Sequence, residues 1–145
     1  MIRAIIAAAV IATGATVVFA QGDVIAQRRD VMKSVGGATK DPGGMLKGET
    51  AFDLAKVQKA LATYQDAAKK MPGLFPDTSK TGGETTAAPK IWDDMAGFKA
   101  AFQKFEADAV KASAEIKDEA SFKANFPAVL KNCGGCHETY RVKKS

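Results

Sequence analysis

Eight apolar positions, Ile91, Met95, Phe98, Phe102, Phe105, Ala109, Ala112 and Ile116, follow one another at alternating steps of four and three. That rhythm puts every one of them on the same side of a helix, so this segment must bury one long stripe against a partner. Two more segments repeat the pattern. Leu54, Val57, Leu61, Tyr64, Ala68 and Met71 form one, with Thr50 and Asp53 as an expected capping box at its start. Phe122, Phe126, Val129, Cys133, Cys136 and Tyr140 form the other, with Asp118 as its expected N-cap and Pro127 as an expected kink. Pro89 stands where a proline suits the first turn of the Ile91 helix.

A fourth helical spacing, Val24, Arg28, Val31, Met32 and Val35, is expected to break at Gly36-Gly37 and at Asp41-Pro42-Gly43-Gly44. Between Met71 and Pro89 the chain is dense in Pro, Gly and Thr, which predicts a surface loop or crossover. No alternating strand pattern occurs. The expected fold is therefore all-α, an antiparallel four-helix bundle, whose facing helices can build a cofactor site in the core.

The first residues read as a leader. Met1-Ile2-Arg3 gives a positive start, Ala4 to Phe19 carries no charge, and Val18 and Ala20 suit a cleavage site after Ala20. Residues 1–20 are thus expected to be a secretory signal peptide and residues 21–145 one exported, periplasmic domain, with no membrane span after cleavage. Removing the leader takes away Arg3 and lowers the formal net charge from +5 to +4. That charge is too modest and too mixed to argue for nucleic acid.

The chemistry lies at Cys133-Gly134-Gly135-Cys136-His137, the spacing that attaches a c-type haem. Two thiols three residues apart on a helix can add to both vinyl groups of one porphyrin edge, and the next residue can reach the iron. Structural zinc needs four ligands, and the chain has two cysteines and one histidine. A disulfide suits the exporting compartment but leaves the adjacent histidine without a role. Because His137 is the only histidine, a second iron ligand would be a methionine, something weaker or nothing. Met32, Met45, Met71 and Met95 all lie beyond the leader, and each can equally be core filling.

The chain resembles the class II cytochromes c, the cytochrome c′ family, whose haem motif stands near the C-terminus; cytochrome c′ is itself an example of the four-helix bundle. The resemblance rests on Arg28-x-x-x-Met32, on Pro89-Lys90-Ile91-Trp92, and above all on Cys133-x-x-Cys136-His137-x-x-Tyr140-Arg141-x-Lys143. It implies that the residue at position 32 lies over the distal face of the haem. A methionine there ligates the iron in low-spin members, whereas a bulky apolar residue leaves it five-coordinate in the cytochromes c′ proper. It further implies that Arg28 approaches a haem propionate and that Arg141 is the proximal-side arginine. Otherwise Arg28 is a solvated charge on a helix face, and Arg141 a cation at a helix C-terminus.

The expected function follows from these assignments. A single haem c attached through Cys133 and Cys136, with His137 and Met32 on the iron, makes an electron carrier and not an enzyme. Redox proteins would be its partners, docking transiently on the basic cluster Lys131, Arg141, Lys143 and Lys144. A homodimer through the first two helices is compatible with the resemblance. The competing expectation is a five-coordinate cytochrome c′ that binds nitric oxide or carbon monoxide. Peroxidase chemistry lacks a second histidine to serve as distal base.

Overall fold

The structure, a computed structural model, describes residues 14–142, with side chains from residue 24 onward. Residues 1–13 of the expected leader and Lys143 and Lys144 of the basic cluster lie outside the described residues. Helix α1 spans Gly14–Leu46, α2 Leu54–Lys70, α3 Lys90–Asp93, α4 Met95–Glu115 and α5 Glu119–Tyr140. Among the described residues no helix is long and apolar enough to cross a membrane.

Neighbouring long helices run antiparallel, as pairs of side-chain contacts show. Between α1 and α2, Asp41 meets Lys56 and Thr39 meets Tyr64. Between α2 and α4, Gln58 donates to the carbonyls of Ser113 and Ile116, while the rings of Tyr64 and Phe105 lie 5.5 Å apart. Between α4 and α5, Asn132 donates to Asp108 and the ring of Phe98 meets Tyr140 edge-on. The result is the expected antiparallel four-helix bundle, with α3 as a short prelude to α4. The apolar stripes meet in one core, where Val57, Leu61, Tyr64, Ala109, Phe122 and Phe126 are fully buried. Each large side chain so buried contributes on the order of 1.5–3 kcal/mol.

Three local expectations are corrected. Helix α1 does not break at Gly36-Gly37 or at Pro42; it continues to Leu46. Packing against α2 outweighs the weak intrinsic preference of those residues, and Pro42 is itself buried in the interface. The helix is closed just beyond Leu46 by Gly48, whose φ of +74° lets its N–H reach the Met45 carbonyl while the Glu49 N–H reaches that of Gly44. This is the paired closure that glycine favours after a helix. At α2 the cap is Asp53 alone, accepting from the Lys56 N–H at 3.1 Å, because Thr50 lies before the helix start.

The third correction concerns the Ile91 stripe, which is carried by two helices. Asp94 interrupts it with non-helical backbone (φ −138°, ψ 56°) and caps α4 by accepting from the Gly97 N–H. Asp118 forms a capping box with Ser121 at the start of α5, and α5 runs through Pro127 without ending. The Met71–Pro89 segment holds two short 3-10 turns, Met71–Leu74 and Asp77–Ser79, and then passes from α1 to the end of α5. Glu84 pairs with Arg29 of α1, and Thr86 and Ala88 exchange backbone hydrogen bonds with Val142 and Tyr140.

Candidate haem site

Between α1, α4 and α5 the bundle opens into a cavity of about 790 Å³, lined mainly by carbon. That is the size and character of a pocket for an apolar cofactor, which typically needs about 300–1,000 Å³. Phe98, Phe102 and Phe105 of α4 form its floor, so the core aromatics and the cofactor wall are one surface.

The α5 wall carries Cys133, Cys136 and His137. Helical spacing sets these three on one face, and both cysteines are free thiols, half-buried. Burial pushes both thiols up from their ordinary value, so they are held protonated. The His137 imidazole is exposed at the cavity edge, and partial desolvation, and then the neighbouring Arg141, push it down from its ordinary value, which favours the neutral ring. Among the described residues no group of three or more His, Cys, Asp or Glu side chains converges on a point that would hold a bare ion. The arrangement suits a broad ring laid along the wall better than a zinc ion.

The α1 wall faces it with Ile25, Arg28, Met32, Gly36 and Thr39. Of the candidate methionines, Met32 and Met71 line the cavity; Met45 is core filling at the end of α1 and Met95 packs at the core margin. Met32 lines the cavity from α1 and is only partly buried, whereas Met71 is 5% exposed within the core beyond the end of α2.

Arg28 is not a solvated charge: it is 5% exposed. Its Nε and Nη1 donate to the carbonyls of Leu74 and Ser79, and its Nη2 donates to the Ser79 hydroxyl. The guanidinium lies 4.0 Å over the Phe75 ring and 5.8 Å from that of Trp92, whose indole donates to the Phe75 carbonyl. Burial lowers its pKa to about 10. The guanidinium stays cationic at neutral pH, and all three oxygens it meets are uncharged, so the cavity wall carries a positive charge suited to an anionic group. Arg141 caps the far end of α5 and reaches the cavity rim.

Haem is a flat apolar ring with two carboxylates, and this cavity offers an apolar slot, two thiols, an imidazole, a facing thioether and a buried cation. The residues fit the group. The C-x-x-C-H motif made the thiols and the imidazole legible in the sequence, and the resemblance to the class II cytochromes c singled out Met32. Trp92 and Phe75 as the bed of Arg28, and Asp94 beneath Tyr140, were not, although an Asp just ahead of Met95 is a recognisable helix-start signal.

Similarity to known proteins extends over the whole bundle. The family model described as Cytochrome C′ matches residues 23–141. A cytochrome c′ of Rhodopseudomonas palustris is 53% identical over 138 residues, covering 95% of this chain and 94% of that protein. A cytochrome c-556 of the same organism is 34% identical over 148 residues, covering 99% of each. A solved structure of cytochrome c′ from Rhodopseudomonas palustris superposes with a TM-score of 0.83 at 56% identity, over 85% of this chain and 98% of the other. The chain belongs to the cytochrome c′ family, and its cofactor is one covalent haem c.

Proposed function

We propose that the chain, exported to the periplasm and cleaved after Ala20, is a one-electron carrier whose iron is held by His137 from α5 and Met32 from α1. The observation that carries this reading is that Met32, from α1, lines the same cavity as Cys133, Cys136 and His137 from α5. When bound, haem supplies an Fe(III)/Fe(II) couple whose potential is tuned by its axial ligands and surroundings. His137 offers a neutral imidazole from one side and Met32 a soft thioether from the other. A thioether ligand favours the reduced state. The carbon-rich lining keeps water from the ring, and Arg28 offers a buried cation to one propionate, with Arg141 on the proximal side. Transfer then needs no open coordination position and only close approach of a partner. Lys131 on the cysteine-bearing helix and Arg141 at its end are both exposed, and are the cations proposed to attract an acidic redox protein.

A second reading has its own support. The relative at 53% identity is named a cytochrome c′ and the one at 34% a cytochrome c-556. A variant of cytochrome c prime from Alcaligenes xylosoxidans, 26% identical over 85% of this chain, has been solved as its nitric oxide complex. On that reading Met32 fills the distal pocket without binding iron, and the protein binds small gases.

Absorption spectra of the matured protein, oxidised, reduced and then exposed to carbon monoxide, separate the two. A sharp low-spin reduced spectrum, a sulfur-to-iron charge-transfer band and no response to carbon monoxide are expected. A broad high-spin spectrum that shifts with carbon monoxide would replace the carrier with the gas-binding protein. Retention of covalent haem by a Cys133→Ala, Cys136→Ala double variant would remove the attachment assignment.

A further inference from the structure

His137 stands in the last turn of α5, the last helix among the described residues. Helix termini lack part of their hydrogen-bond ladder and fray, so an axial ligand placed there needs an external support. Three contacts converge on the residue one turn beyond it. The Tyr140 phenol donates to Asp94 Oδ2 at 3.2 Å, its carbonyl accepts from the Ala88 N–H at 3.0 Å, and its ring meets Phe98 edge-on at 5.3 Å.

The far side of the phenol contact is equally fixed. Asp94 separates α3 from α4, and its other carboxylate oxygen accepts from the Gly97 N–H at 3.1 Å. Space at this junction is fully used. A Cβ added at Gly97 would lie 2.6 and 2.8 Å from the Asp94 carboxylate oxygens and 2.8 Å from the Tyr140 hydroxyl. The glycine is therefore required by the approach of phenol to carboxylate. Gly36, Gly37, Gly134 and Gly135, also helical, have nothing within 4 Å of such a Cβ. A close-packed polar contact on a half-exposed carboxylate adds little to stability, and a phenylalanine at 140 would pack on Phe98 as well. What the hydroxyl adds is a fixed position for the end of α5.

We propose that Tyr140, anchored through its phenol on Asp94, is the positioning residue that holds the last turn of α5 and with it the imidazole of His137. The assignment rests on the reading of His137 as axial ligand. Since His137 is the only histidine, 15N-histidine labelling reports on that ring alone.

In the matured parent protein the label should show a strong paramagnetic shift in the ferric state. An unshifted label would remove the ligand reading, and the positioning role with it, whatever the variants do. In Tyr140→Phe, and in Gly97→Ala, which attacks the same contact from α4, covalent haem and helix content should stay at parental levels. The His137 signal should move or split, and amide exchange over residues 137–142 should rise several-fold. Asp94→Asn, whose amide oxygen can still accept from the Gly97 N–H while its amide nitrogen donates to the phenol oxygen, should leave the His137 signal close to parental. A parental His137 signal and parental exchange in Tyr140→Phe or Gly97→Ala, with ligation intact, would refute the positioning role alone.

Discussion

Replacing Arg28 with methionine isolates the buried clamp between α1 and the 3-10 turns. The variant keeps an unbranched stem against Phe75 but removes all three donors. Nε and Nη1 leave the carbonyls of Leu74 and Ser79 without their guanidinium partner, while the Ser79 hydroxyl keeps its own bond to the Pro76 carbonyl. Stranding a buried acceptor costs about 1–3 kcal/mol; the Ser79 carbonyl contact is buried and the Leu74 one only partly so, which puts the gross loss at about 2–4 kcal/mol. Relief from burying a charge offsets part of this, since desolvating a guanidinium costs several kcal/mol. The expected net loss is about 1.5 kcal/mol, a fall in Tm of roughly 5 °C for a domain of this size. Trp92 is the only tryptophan and its indole donates to Phe75, so its fluorescence in urea unfolding reports on this segment directly. Arg28→Lys retains the charge but not the planar fork, and should lose about half as much. A methionine variant within about 0.5 kcal/mol of the parent would refute the clamp, because ordinary surface substitutions lie in that range.

Other perturbations have equally definite outcomes. Met32→Ala should convert the low-spin spectrum to a high-spin one that binds carbon monoxide, while an unchanged spectrum would exclude Met32 as ligand and turn attention to Met71. Gly37→Ala should stabilise the protein by about 0.5–1 kcal/mol in thermal unfolding, since the position is helical and nothing lies within 4 Å of the added methyl. Asp108 is held below the ordinary carboxylate value by hydrogen bonds from Lys104 and Asn132. A depressed carboxylate stabilises the fold above its unfolded-state value and loses that contribution as pH falls through its folded-state value. The parent should thus exceed Asp108→Asn by about 0.5 kcal/mol at neutral pH. That advantage should fade below about pH 3.8, and a constant difference across the acid range would count against it.

Most of the architecture is written in local pattern. The three long stripes became α2, α3 with α4, and α5, with nearly every striped residue in the core, and Asp118 caps where its side chain predicts. Where the sequence misleads, distant packing decides. Gly36, Gly37 and Pro42 each weaken a helix locally, yet α1 runs through them because α2 and the 3-10 turns hold both its halves. Arg28 shows the same limit for the site: spacing from Met32 signals its face, but its partners Leu74 and Ser79 lie 46 and 51 residues away. The Asp94 contact with Tyr140 also spans 46 residues, and no periodicity announces it.

The up-and-down topology gives the cofactor a mechanical meaning as well as a chemical one. Each of the three extensive long-helix interfaces joins successive long helices, α1 to α2, α2 to α4 and α4 to α5, so the contacts that order the bundle are local and quickly found. The first and last helices instead face each other across the cavity. A bond from Met32 to an iron already fixed on α5 would tie a loop of about a hundred residues, and cross-links over such spans restrict the unfolded chain by several kcal/mol. Losing that ligand would therefore loosen the whole chain, and a change of iron ligation, whatever its trigger, would be felt as a change in the resistance of the bundle to unfolding.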